Sequence, residues 1–126
     1  MPGSSPLQGR RILVVEDEFL LALDLEQLFD AEGCRVLGPA ATVGEALRTL
    51  ATGPRADAAV LDVNLGGARS VPVAEALAAR GIPFVAATAY PELPEPVFAG
   101  VPVVVKPYAP GQVREAVVRL LSGDRA

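Results

Sequence analysis

Four apolar runs in this chain each end on a residue able to handle phosphate or a hard cation. Glu16, Asp17 and Glu18 close the run 12–15, Asp62 closes 58–61, Thr88 closes 83–87 and Lys106 closes 101–105. Carboxylates, a hydroxyl and an ammonium gathered in one place form a cation-and-phosphate inventory. The carboxylates need counter-charge, because two ionised groups about 4 Å apart repel by roughly 4 kcal/mol at an effective dielectric of 20. A divalent cation with oxygen ligands resolves that repulsion for Glu16, Asp17 and Asp62. Mg2+ fits better than Ca2+, since few protein ligands are on offer and Mg2+ keeps several waters and binds phosphate oxygens. Glu18 reads instead as an acid favoured by the positive end of a helix.

Composition singles out Lys106 independently. Ten of the eleven basic residues are Arg and this is the sole Lys. A lysine sets a point charge on a flexible stem that follows a phosphoryl oxygen, where arginine would impose a planar fork. The Thr88 hydroxyl can donate to the same oxygens, although a β-branched residue at a strand end also has a purely structural reading. The chain has no His. That excludes His-ligated zinc, Ser-His and Cys-His nucleophile pairs, and a phosphohistidine formed on this chain.

Strands must run side by side in one direction to collect these residues. Five runs rich in β-branched residues, 12–15, 35–37, 58–61, 83–87 and 101–105, alternate with segments of helical period. Runs that are apolar throughout are buried on both faces, which predicts a parallel sheet covered by helices. Right-handed crossovers then give a doubly wound, five-stranded α/β fold. With strand order 2-1-3-4-5, the second strand, closing on Gly38-Pro39, lies beyond the crevice where ligands bind in such sheets.

The helices are unequal. The first, 18–32, carries Leu21, Leu25, Leu28 and Phe29 on one stripe and stops at Gly33. The second starts at Thr42 with Glu45 three residues on, a capping box. The third covers 71–80, and the last has Pro110 in its first turn. Between them PELPEPVFAG places three Pro within six residues, which predicts a turn of helix at most. Gly66-Gly67 reads as a turn after the third strand, Asp57 as a loop residue bonding to nearby backbone, and Cys34 as a small buried hydrophobe.

A length of 126 residues fits one domain, 11–122, with 1–10 read as a flexible tail rich in Pro, Gly and Ser and 123–126 as a C-terminal tail. No apolar stretch approaches the roughly 20 residues of a membrane span, and no signal-peptide core precedes the domain, so the expected location is the cytoplasm. A net charge of −4 argues against a nucleic-acid partner.

The polar residues fall into four segments, VVEDE (14–18), VLDVNL (60–65), ATAY (87–90) and VKPY (105–108). In order and spacing these resemble the signature segments of a response-regulator receiver domain. The resemblance covers 11–121 and implies a flavodoxin-like (βα)5 fold. It implies that Asp62 is the phospho-accepting aspartate and that Asp17 binds Mg2+ directly, with Glu16 acting directly or through water. Asn64 would offer its backbone carbonyl to the metal, and Thr88 and Lys106 would bind the phosphoryl oxygens. The run IPFVAATAYPELP with VVVKPY is similar to a subgroup carrying a Pro-Phe-x-Phe-Ala-Thr-Gly-Tyr signature, often single-domain regulators, with Ala89 here replacing its Gly. Many receivers carry an aromatic switch residue three positions before the lysine. Val103 occupies that place, which leaves Tyr90 and Tyr108 as switch candidates beside the site and an ordering of residues 90–100 as the expected change.

The function so implied is that of a stand-alone response regulator in a two-component phosphorelay. It takes a phosphoryl group from a sensor histidine kinase or histidine phosphotransfer protein, and catalyses only its own phosphorylation and dephosphorylation. An unidentified downstream protein would meet the face from the fourth strand to the last helix, where a weak homodimer is also compatible. Two readings compete. One is a phosphorylation-independent interaction module, against which the complete set of acidic pair, acceptor, Thr and Lys weighs. The other is a small Mg2+-dependent phosphatase, which would need a second Asp where Asn64 stands and a cap domain for which this length has no room.

Overall fold

The computed structural model describes residues 5–123. In chain order the elements are β1 (Arg11–Val15), α1 (Phe19–Ala31), β2 (Arg35–Ala40), α2 (Val43–Thr52), β3 (Ala58–Asp62), two short strands β4 (Asn64–Leu65) and β5 (Ala68–Arg69), and α3 (Val71–Ala79). There follow β6 (Phe84–Thr88), a single 3-10 turn at Pro96–Phe98, β7 (Val103–Val105) and α4 (Pro110–Ser122). Five strands pair in parallel in the order β2-β1-β3-β6-β7. Counted among themselves these are 2-1-3-4-5, the expected doubly wound order.

Period-2 alternation sends successive strand residues to opposite faces, and here both faces are dry. Leu13, Val15, Ala59 and Leu61 pack with Ala46 of α2 and Val73 and Leu77 of α3. Ile12, Val14, Ala58 and Val60 share the other layer with Leu25 and Phe29 of α1 and Val113 and Val117 of α4. The continuous apolar runs are thus the sequence form of a sheet covered on two sides.

Helix α2 is capped by Thr42 as expected, but the Glu45 side chain closes on the N–H of Ala41 and not on that of Thr42 itself. Thr42 Oγ1 accepts the Glu45 N–H at 3.1 Å, while Glu45 Oε1 accepts the Ala41 N–H at 2.8 Å. Replacing Thr42 with Ala is expected to cost about 1 kcal/mol, read as a lower urea midpoint at unchanged slope.

Several boundaries differ from the sequence reading. Strand β2 continues to Ala40 because Gly38, at φ +87°, turns the chain where a Cβ would stand 2.7 Å from Ala40 N and 2.9 Å from Val14 O. The bulge lets Ala40 O accept the Glu16 N–H at 2.9 Å, anchoring the first site residue. Strand β7 starts at Val103, since the Val101 N–H is spent on Phe98 O in a turn and Pro102 has none to give. The Pro-rich segment forms only its one 3-10 turn, fixed by Phe98, whose ring meets Phe84 edge-on with centroids 6.4 Å apart. Val103 and Val105 are left exposed on the edge strand.

The expected flexible tail is corrected over residues 5–10. Leu7 is buried in the α1 and α4 layer, the Gly9 N–H donates to Gly33 O at 2.9 Å, and Ser5 donates to Glu32. A single apolar residue among Pro, Gly and Ser carries no periodicity, so its docking left no sequence signal. Residues 1–4 of that expectation, and 124–126 of the C-terminal one, lie outside the described residues. Cys34 is buried, its thiol donating to Leu7 O and pushed up to about 11 by desolvation. Asp57 does not bond locally: its carboxylate accepts the Arg11 N–H at 2.8 Å, and its own N–H donates to Arg11 O at 2.7 Å, tying β3 to β1. Among the described residues no helix is long and apolar enough to cross a membrane.

Candidate phosphoacceptor and cation site

Register places the site. Val15 pairs with Leu61, so Glu16 and Asp62 leave adjacent strands side by side, and Asp62 pairs with Ala87 of β6. Across β6, the Lys106 N–H donates to Thr88 O at 2.8 Å. Four strands therefore deliver their closing polar residues to one end of the sheet.

Asp62 is buried and held on all sides. Its Oδ2 lies 2.8 Å from Lys106 Nζ, its Oδ1 accepts the Asn64 N–H at 3.0 Å, and its main-chain carbonyl accepts the Ser70 hydroxyl at 2.6 Å. Ser70 was not singled out in the sequence; it makes no side-chain cap bond and is fully buried against the end of β3. Glu16 is 2% exposed, with Oε1 3.1 Å from Lys106 Nζ and Oε2 accepting the Glu18 N–H at 3.1 Å. Asp17 is exposed and its Oδ2 accepts the Gly66 N–H at 2.9 Å.

Gly66 and Gly67, at φ +58° and +90°, form the two-residue turn between β4 and β5. The turn was legible and the hairpin was not, since strands of two residues have no period to read. Its far end is fastened by Arg69, whose Nε and Nη2 donate to Glu95 at 2.8 and 2.7 Å. This bidentate pair joins the loop after β3 to the loop after Thr88.

Glu16, Asp17 and Asp62 each present an oxygen within 4.8 Å of the others. Burial, and next the hydrogen bond with Asp62, push the Glu16 carboxyl up to about 7. Desolvation alone would lower the Lys106 ammonium, but its bond and charge attraction to Asp62, reinforced by Glu16, hold it above the ordinary lysine range. One ammonium is thus shared between two buried carboxylates with a third at the mouth. This all-oxygen anionic donor set fits a hard divalent cation such as Mg2+.

The remaining expected residues are placed differently. Thr88 is buried at the strand end, but its hydroxyl is turned to the following loop, accepting the Tyr90 N–H at 3.1 Å and donating to Tyr90 O at 3.2 Å. Tyr90 itself is 73% exposed. Val103 faces solvent on the edge strand, whereas Tyr108 is buried two residues after Lys106. Asn64 is half-buried opposite Arg69 in the hairpin.

A doubly wound sheet of this order, with acidic residues on its first and third strand ends and a lysine on its fifth, defines the receiver class of α/β domains. No protein-family model matches the chain. The solution structure of SdrG from Sphingomonas melonis Fr1 is 44% identical, with a TM-score of 0.75, over 93% of this chain and 98% of that one. The crystal structure of the response regulator PhyR from Brucella abortus is 30% identical, with a TM-score of 0.79, over 97% of this chain and 52% of that one. The phyllosphere-induced regulator PhyR of Methylorubrum extorquens is 33% identical over 118 residues, 87% of this chain and 43% of its own length. The chain spans about half the length of these two PhyR proteins. It belongs to the family of response-regulator receiver domains.

Proposed function

We propose that this domain is a phosphoacceptor, a response regulator in its own right that takes a phosphoryl group onto Asp62 from the phosphohistidine of a sensor kinase or phosphotransfer protein. The observation that carries the reading is the Lys106 ammonium held 2.8 Å from Asp62, with three carboxylates in mutual reach beside it. A carboxylate oxygen of Asp62 forms the new O–P bond as the P–N bond to the partner's imidazole breaks. The imidazole leaves with the bonding pair and takes a proton. Lys106 balances the charge arriving on the phosphoryl oxygens. Glu16, Asp17, Asp62 and the Asn64 backbone carbonyl would hold Mg2+, which when bound adds further neutralisation of those oxygens.

Thr88 donates to a phosphoryl oxygen only by giving up the bond it donates to Tyr90 O. Phosphorylation is thereby coupled to the segment 90–100, which the Arg69 to Glu95 pair otherwise tethers. The domain catalyses its own phosphorylation and dephosphorylation and no other reaction. The ATAY and VKPY runs support placing it in the Pro-Phe-x-Phe-Ala-Thr-Gly-Tyr subgroup.

Metal titration separates this reading from a phosphorylation-independent interaction module. In 15N NMR spectra, Mg2+ at millimolar concentration is expected to shift the amides of Asp17, Asp62 and Gly66 in a saturable way. Unmoved resonances at those positions would favour the module.

A further inference from the structure

Ser70 closes the loop that follows Asp62, and it does so from the interior. The residue is fully buried, its hydroxyl donates to the Asp62 carbonyl at 2.6 Å, and its N–H donates to the Val63 carbonyl at 2.8 Å. One residue thus holds two consecutive peptide groups, the one that leaves Asp62 and the one after it. The first of these carbonyls lies past the end of the β1 ladder, whose register stops at Val15 and Leu61. On the β6 side the bond at this level is carried by the Val63 N–H, which donates to Ala87 O at 3.0 Å. A buried carbonyl needs a donor, and the Ser70 hydroxyl supplies it.

The same loop is gripped at other points, but less securely. The Asn64 N–H donates to Asp62 Oδ1 at 3.0 Å, and at the tip the Gly66 N–H donates to Asp17 Oδ2 at 2.9 Å. Both bonds end on carboxylates of the site, whose charge changes when a cation or a phosphoryl group arrives. The ion pair of Arg69 with Glu95 is exposed, where such pairs hold weakly. Between these points runs the hairpin of Asn64 and Leu65 with Ala68 and Arg69, too short to keep its shape unaided. The two bonds of Ser70 end on main-chain carbonyls and do not depend on the charge of the site.

We propose that Ser70 is a positioning residue for phosphoryl acceptance, its hydroxyl fixing the peptide group that leaves Asp62. Together with the Ser70 N–H it sets where the Asn64 main chain stands, so that Asp62 Oδ1 stays held by the Asn64 N–H while Oδ2 stays toward Lys106. A carboxylate that must meet phosphorus in line gains rate from being held in one orientation. The inference rests on the phosphoacceptor reading above and adds to it a residue outside the segment VLDVNL (60–65).

The test compares the full chain with Ser70→Ala and with Asp57→Ala, which removes the 2.8 Å bond to the Arg11 N–H at the opposite end of β3. All are measured where circular dichroism shows each variant folded. Two quantities are read: the Mg2+ dissociation constant from 15N shifts with no phosphodonor present, and the rate of mass gain with acetyl phosphate at saturating Mg2+. In Ser70→Ala the first is expected to rise and the second to fall by about fivefold each, the scale of one hydrogen bond. In Asp57→Ala both are expected to stay at the wild-type values. Ser70→Cys, a weaker donor of nearly the same shape, is expected to fall between, and it takes the place of Ser70→Ala should that variant not fold. A change in either quantity that Asp57→Ala lacks supports the role of Ser70. Wild-type values for both in the Ser70 variants, or equal losses in Asp57→Ala, overturn that role and leave the phosphoacceptor reading intact. A wild type that gains no phosphoryl mass, or a gain that survives Asp62→Asn, removes both.

Discussion

Lys106→Met is expected to destabilise the metal-free protein by about 2–4 kcal/mol at pH 8, measured by urea unfolding. The physical reason is the company that Lys106 keeps. Asp62 and Glu16 are buried carboxylates whose charged partner is this one ammonium, at 2.8 and 3.1 Å. Breaking a buried ion pair by removing one member leaves the other charge uncompensated, typically at about 3–5 kcal/mol; the lysine side chain is 20% exposed, which reduces the figure. Part of the loss should return on lowering the pH, because two crowded carboxylates can then share a proton. Part should also return on adding Mg2+, which replaces the missing positive charge. A loss below about 0.5 kcal/mol at pH 8 would mean that the carboxylates are compensated elsewhere.

The wild-type protein in metal-free buffer is expected to lose stability as the pH rises from about 4.5 to about 7. Glu16 is pushed up to about 7 in the folded state, first by burial and then by Asp62, against an ordinary value of 4.5. Between those limits the folded chain holds a proton that the unfolded chain has released, so each increment of pH favours unfolding. At 1.36 kcal/mol per pKa unit the fall amounts to at most about 3 kcal/mol across the window. Lys106 does not offset it, because its value is raised above that of an ordinary lysine and its stabilising effect is fully present throughout this range. Saturating Mg2+ should flatten the slope, since a cation favours the ionised carboxylate. A metal-free stability that rises with pH over this interval would show that Glu16 is ionised in the fold.

How far these features were legible in the sequence depended on what each leaves as a pattern. Continuous apolar runs such as 12–15 and 58–61 are a direct imprint of two-sided burial, and the parallel sheet followed from them. The residues closing those runs were legible for the same reason: Asp62 and Lys106 are where a dry strand meets a polar end. Contacts made by side chains with no period escaped. Ser70 belongs to no periodic pattern, yet its hydroxyl holds the Asp62 carbonyl. Asp57 reads as a local turn residue and instead joins two strand starts. Leu7 has no apolar neighbours in sequence, and the Arg69 to Glu95 pair spans 26 positions that no local rule connects. Thr88 was recognised as a residue type, but the direction of its hydroxyl, toward Tyr90, is decided by the loop that follows it.

The central claim is that Asp62 accepts a phosphoryl group, and mass spectrometry of the intact chain tests it most directly. After incubation with Mg2+ and a small phosphodonor such as acetyl phosphate, the wild type is expected to gain the mass of one phosphoryl group. The gain should be absent in Asp62→Asn and in the presence of a chelator. No gain in the wild type, or an equal gain in Asp62→Asn, would contradict the account.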